Sequence, residues 1–123
     1  MILLNEIKNL IENNALAFAT IGEDGNPHCV AVGFVKIVSE NKILISDNFL
    51  IETVKNIRNN PNVALAVWSR NWEDNCEGYE LKGVADYFQE GEWREKVKVM
   101  PENKGLAAKG AILITVTKIK KLT

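Results

Sequence analysis

The densest chemistry in the chain lies in one stretch, Leu44-Ile45-Ser46-Asp47-Asn48-Phe49-Leu50-Ile51-Glu52-Thr53-Val54-Lys55-Asn56-Ile57-Arg58-Asn59-Asn60-Pro61. It reads as a buried strand, a polar turn and a short helix closed by Asn-Asn-Pro. A helix start fed by a strand is an anion site. Its first backbone N–H groups have no intrahelical partner, and the helix dipole favours negative charge there. Thr53 adds a hydroxyl donor, and Lys55 and Arg58 add positive charge further along. The plainer alternative is a capped helix between two strands, and an isolated strand–turn–helix is more often that.

Other reactive residues are sparse. His28 is the only histidine, so one chain cannot assemble a catalytic triad or a multi-histidine metal centre. On a strand, His28 and Cys29 point to opposite faces and make a poor metal pair. Glu73, Asp74, Glu77 and Glu80 lack the spacing and glycine placement of a calcium loop and read as solvated. No metal site is expected. Cys76 sits among those carboxylates, which disfavour a thiolate. Trp68 lies in an apolar strand and reads as core. Trp72 lies in a polar loop and is the better candidate for lining a cleft. Trp93 falls in a helical pattern.

Composition excludes several classes of function. The 123 residues carry 46% apolar and 25% charged side chains, with a net charge of −1 and no block of like charge. That balance argues against nucleic acid or an anionic membrane as the main partner. A small phosphorylated ligand needs only a local cluster of donors. No apolar run approaches membrane-spanning length, and Met1 to Leu4 is too short for a signal-peptide core. Cys29 and Cys76 are far apart and read as free thiols, so a cytoplasmic setting is expected. The length suits one domain spanning residues 1–123.

The elements that must position this chemistry are mostly β. Leu3, Ile7, Leu10 and Ile11 form one apolar helical face across Leu3 to Asn13, suited to covering an open end of the sheet. Ala15 to Ile21 is a strand. Glu23-Asp24-Gly25-Asn26-Pro27 is strong turn chemistry. His28 to Val38 reads as one long second strand, and Lys42 to Ser46 returns as a third. A helix follows at about Glu52 to Asn59. Val63 to Ser69 and Gly78 to Phe88 are the next strands, with Gly83 inside the longer one. Glu90 to Met100 suits a helix, Pro101 to Gly110 a loop, and Ala111 to Lys120 a final strand. Gly83 reads as a bend. Gly33 reads either as a bend or as a close approach to a ligand. Several strands are apolar on both faces, so their second face must be covered by helices, loops or a partner subunit.

Three blocks of this pattern resemble a known family. Ala19-Thr20-Ile21-Gly22-Glu23-Asp24-Gly25-Asn26-Pro27-His28 is similar to the opening hairpin of the flavin mononucleotide (FMN) split-barrel proteins, the pyridoxamine phosphate oxidase-related superfamily. Ser46-Asp47-Asn48 with Thr53 to Pro61 resembles its second block. Gly78-Tyr79-Glu80-Leu81-Lys82-Gly83-Val84-Ala85 resembles its third. The small FMN-binding protein type is the nearest in size. The likeness runs from about Ala15 to Thr117.

The resemblance implies a mainly β fold, a six-stranded antiparallel split β-barrel of Greek-key type with two or three short helices. It implies a homodimer with FMN at the subunit interface. Thr53 matches a phosphate ligand. Val32, Gly33 and Phe34 occupy the stretch that flanks the flavin, and Ser46, Asp47 and Asn48 occupy the end of the third strand. One position departs: where the family commonly carries Lys before that Thr, this chain has Glu52. A carboxylate suits a helix start but repels a phosphate dianion. Lys55 is the nearest substitute cation, with Arg58 and Arg70 further off.

The implied activity is a flavin-dependent oxidoreductase with a nicotinamide cofactor or another electron carrier as redox partner. No acid–base residue is identifiable. Pyridoxamine phosphate oxidation itself is disfavoured, because Lys118 to Thr123 lack the basic, histidine-containing motif expected there. Two alternatives stay open. One is a non-catalytic FMN-binding or electron-transfer module. The other is a split barrel that has lost FMN through Glu52 and binds another ligand or a protein.

Overall fold

The computed structural model describes residues 3–100 and 108–122. Seven strands, all antiparallel, form one sheet: β1 (Leu16–Ile21), β2 (Pro27–Val32), β3 (Val35–Ser39), β4 (Lys42–Asp47), β5 (Asn62–Trp68), β6 (Gly78–Phe88) and β7 (Gly110–Lys121). Their spatial order is β2-β1-β5-β6-β7-β4-β3. The helices are α1 (Lys8–Glu12), preceded by a 3₁₀ turn at Leu4–Ile7, α2 (Ile51–Asn59) and α3 (Glu92–Lys98). Among the described residues no helix is long and apolar enough to cross a membrane.

The split-barrel class holds, but the strand count is seven rather than six. The segment expected as one strand, His28 to Val38, is two. It breaks at Gly33–Phe34, and its halves lie at opposite edges of the sheet. Val32 and Val35 are both buried on the core side. The chain therefore turns a corner while keeping its apolar side inward. This corner joins the two free edges, which is how an open sheet curls into a split barrel. The Phe34 carbonyl accepts the Ser46 N–H at 3.0 Å and ties the corner to β4. A Cβ at Gly33 would meet nothing within 4 Å among the described residues, so none of them crowds this corner.

The barrel is filled by the inward phase of each strand: Leu16 and Phe18, Ile43 and Ile45, Val63, Leu65 and Val67, Leu81, and Ile112 and Ile114. The N-terminal segment closes one end with Leu4, Ile7 and Ile11. Leu3, expected on that buried face, is 52% exposed, because the tighter 3₁₀ turn brings Leu4 inward instead. Glu12 fastens α1 to edge strand β3 by accepting the Ile37 N–H at 2.8 Å. It also pairs with Lys8 at 2.8 Å. A second cluster lies outside the barrel, where Val97 and Met100 cover Leu44, Ala111 and Leu113. β4 and the first half of β7 are thus buried on both faces. By contrast, the outward residues Cys29 and Ala31 of β2 are exposed. They pair in register with Ala19 and Ala17 of β1, which pair with Ala64 and Ala66 of β5. The result is a smooth outer face of small side chains.

Local chemistry explains the boundaries. Gly25 has φ 82° in the β1–β2 turn, and Asp24 accepts the Asn26 N–H at 3.0 Å. At Gly83 the β6–β7 register shifts, and a Cβ there would fall against the Thr115 carbonyl. The loop expected over Pro101 to Gly110 lies mostly outside the described residues.

Candidate functional site

β4 ends in the buried polar pair Ser46 and Asp47, buried Asn48 follows, and α2 begins three residues after Asn48. Asp47 is fully buried and anchors this junction. Its Oδ1 accepts the Leu50 N–H at 2.8 Å, which shapes the turn into α2. Its Oδ2 accepts the Tyr87 hydroxyl at 2.6 Å, and the Lys109 ammonium stands 3.7 Å away. The Asp47 carbonyl also accepts the Lys109 N–H at 2.9 Å. Burial, and then the hydrogen bond to the Asp47 carboxylate, push the Tyr87 phenol well above its ordinary range; Arg58 opposes this. Gly110 pairs with Asp47 in the β4–β7 ladder. A Cβ at Gly110 would overlap the Tyr87 hydroxyl, so the missing side chain is what admits the phenol.

The helix is held by its inward face. Asn56 donates to Thr20 Oγ1 at 3.0 Å, both side chains being buried, and Ile57 enters the barrel core. Thr53 differs. Its side chain is 1% exposed, yet among the described residues its Oγ1 has no hydrogen-bond partner. An unpaired buried hydroxyl costs stability and calls for an explanation. Glu52 beside it is exposed, and no side chain caps the helix start at Leu50.

Two depressions flank this helix start. The first is a small, partly open cavity of about 170 Å³, walled by Ala31, Val32, Gly33, Phe34, Ser46, Asn48, Phe49 and Leu50. Five of the eight residues expected at the site, Val32, Gly33, Phe34, Ser46 and Asn48, therefore meet around one cavity. The sixth, Asp47, is buried behind it, and the seventh, Thr53, lies in the first turn of α2. The eighth, Lys55, does not join them. It lines the second depression, an open cleft of about 540 Å³, with Ile51, Val54, Arg58, Tyr87 and Lys109. In a helix, residue 55 lies about 200° around the axis from residue 53, which accounts for the separation.

Further expectations meet mixed outcomes. Trp68, expected in the core, is 45% exposed. It shares the outward phase of β5 with Ala64 and Ala66, opposite the buried Val63, Leu65 and Val67, and lines a cleft with Gly33 and Arg70. Trp72 instead rests its ring near Gly78. Arg70 donates to the Asn13 carbonyl at 3.0 Å and lines the cleft with Trp68 rather than either of the two depressions beside α2. His28 is half-buried in β2 with Nε2 unpartnered. Cys29 and Cys76 are free and exposed. Sequence reasoning missed Tyr87, Lys109 and Gly110, which meet Asp47 only through the pairing of β4, β6 and β7.

Comparison with known proteins gives this architecture a lineage. The chain is 35% identical over 126 residues to the Methanocaldococcus jannaschii protein MJ0282, covering 98% of this chain and 80% of that protein. It superposes on HupZ of Group A Streptococcus with a TM-score of 0.87 at 25% identity, covering 99% of this chain and 94% of that one. An FMN-binding protein from Syntrophomonas wolfei subsp. wolfei shares the fold, with a TM-score of 0.81 at 14% identity over 98% of this chain and 86% of that one. The family model for pyridoxamine 5'-phosphate oxidase matches residues 3–123. With nearly the whole chain matched, the protein belongs to the pyridoxamine 5'-phosphate oxidase family.

Proposed function

We propose that the protein is an FMN-binding flavoprotein that works as a homodimer and passes electrons to or from a nicotinamide cofactor or another carrier. The observation that carries this reading is the orphaned Thr53 hydroxyl. A buried donor in the first turn of a nine-residue helix is satisfied if a phosphate oxygen accepts from it, beside the free N–H groups of that turn. The flavin-binding relative of the same fold supports the assignment.

The donor set fits. Thr53 and the α2 backbone would hold the phosphate. Val32, Gly33 and Phe34 would line the ring, with Ser46 and Asn48 as polar contacts at the cavity rim. Asp47 would fix the turn that aims α2. A cavity of about 170 Å³ is below the ~300–1,000 Å³ usual for a cofactor site. A second subunit would complete it, and Phe49, a wall residue that is 75% exposed, suits that cover. The small-residue face of β2, β1 and β5 also suits a close partner. FMN supplies the electron and hydride chemistry when bound. The chain's task is to bind, orient and exclude water. The single 1–123 domain and a soluble, cytoplasmic setting belong to the same reading.

Glu52 favours one competing reading, a split barrel that no longer holds FMN. Fluorescence titration of FMN into the purified protein separates the two. Saturable quenching should weaken about tenfold or more in Thr53→Val, while that variant unfolds at equal or higher urea, having lost an unpaired buried hydroxyl. Glu52→Lys should bind more tightly than the parent. A colourless protein that ignores FMN, both as the parent and as Glu52→Lys, would overturn the proposal.

A further inference from the structure

The open cleft on the other side of α2 holds a separate concentration of charge. Lys55 and Arg58 lie one turn apart on the helix, and Lys109 faces them from the approach to β7. Among the described residues that line it, Glu23 is the only carboxylate. The chain as a whole has a net charge of −1, so this excess is local.

The cations are not simply a solvated fringe. Arg58 lies over the Tyr87 ring at 5.2 Å and donates to Gln89 Oε1 at 3.0 Å. These contacts fix the guanidinium without neutralising it. Tyr87 is itself locked by its bond to Asp47. Lys109 is positioned by the same carboxylate at 3.7 Å. Among the described residues Lys55 has no ion-pair partner. Two uncompensated cations and a third held nearby match a dianion, and a pre-fixed Arg loses little freedom on binding one. Ile51 and Val54 add an apolar wall. At about 540 Å³ the cleft is in the size range of small-molecule sites. It shares no lining residue with the cavity at Gly33.

We infer that this cleft is a binding site for a small phosphate monoester with an apolar body, distinct from the site at Thr53. The phosphate is held by Lys55, Arg58 and Lys109, and the body lies along Ile51 and Val54. The inference does not depend on FMN binding.

The test is calorimetric titration of phenyl phosphate and of inorganic phosphate into the full chain, with and without excess FMN. The expected result is binding of phenyl phosphate at about 1 mM or tighter, stronger than inorganic phosphate and weaker at high salt. Lys55→Glu and Arg58→Gln should each weaken it about tenfold, while Lys82→Glu, on the exposed face of β6, leaves it unchanged. Lys55 and Arg58 are exposed, so neither substitution should alter the urea midpoint by much. Four results would each overturn the inference: no heat with phenyl phosphate, equal affinity for the two anions, binding retained in the Lys55→Glu/Arg58→Gln double variant, or loss of binding in excess FMN. Loss of FMN quenching alone would count against the proposed function and leave this site standing.

Discussion

Removing the Asp47 carboxylate should be among the most damaging single changes in this protein. The side chain is fully buried and accepts two short hydrogen bonds, 2.6 Å from Tyr87 and 2.8 Å from the Leu50 N–H. Hydrogen bonds to a charged acceptor are worth about 1.5–3 kcal/mol each. The Lys109 contact is longer, 3.7 Å, and its ammonium is partly exposed, so it adds little. Asp47→Ala should therefore cost about 3–5 kcal/mol, a large share of the ~5–15 kcal/mol that holds a typical domain together. Asp47→Asn keeps an acceptor for Leu50, and the Tyr87 hydroxyl can turn to accept from the new amide; about 1–2 kcal/mol is expected. Tyr87→Phe should cost about 1.5–3 kcal/mol. Because both changes break the same bond, the Asp47→Ala/Tyr87→Phe pair should cost less than the sum by at least ~1 kcal/mol. Urea unfolding with a constant slope measures all four, and the milder variants remain informative if Asp47→Ala does not fold. A loss below about 1 kcal/mol for Asp47→Ala, or strict additivity of the pair, would refute the idea that this carboxylate holds the junction.

Gly110→Ala should destabilise by about 1–3 kcal/mol, because the new Cβ displaces the Tyr87 hydroxyl. Gly33→Ala meets nothing within 4 Å and should leave the urea midpoint within about 0.5 kcal/mol of the parent. If that variant also weakens FMN quenching, the ligand itself approaches Gly33. In Glu12, burial raises the carboxyl pKa, but the hydrogen bonds from Lys8 and the Ile37 N–H outweigh it and hold the value below its ordinary 4.5. The folded state thus favours the carboxylate, and its contribution is lost as pH falls through that lowered value; Glu12→Gln should flatten the acid limb of a stability–pH curve. Both tyrosines have raised values, Tyr79 through burial and Glu77, Tyr87 through burial and Asp47. Tyrosinate absorbance should stay low in the folded protein above about pH 10 and appear on unfolding, with stability falling as pH rises past that point.

Much of this fold was legible in the residues. Asp24-Gly25 marked the first turn and Asn59-Asn60-Pro61 the end of α2, because both are local chemistry that acts within a few residues. The break in the second strand was not legible. Its residues are apolar in both phases, so alternation carries no record of the turn, and Gly33 alone hinted at it. Trp68 was misread for a related reason. An apolar run does not say which phase faces inward, and the outward phase of β5 has Ala64, Ala66 and Trp68. Five of the eight residues around the Gly33 cavity were singled out from the sequence, since they cluster at two strand ends. The Asp47 network was not, because Tyr87, Lys109 and Gly110 reach Asp47 through strand pairing between distant segments.

The placement of β7 has a consequence for biosynthesis. This strand comes last of the seven in sequence, yet it lies between β6 and β4. A ribosome delivering the chain from its N-terminus releases the β3–β4 hairpin and the β5–β6 hairpin well before the strand that joins them. Until then β4 and β6 each expose an unpaired edge, and Ile43 and Ile45 lack the Ile112 and Ile114 that cover them in the finished barrel. Chains synthesise at roughly 5–20 residues per second, slowly enough for exposed edges to meet other chains. The nascent protein is therefore most in need of a chaperone during the interval between β6 and β7, and conditions that stall translation there should drive it into aggregates.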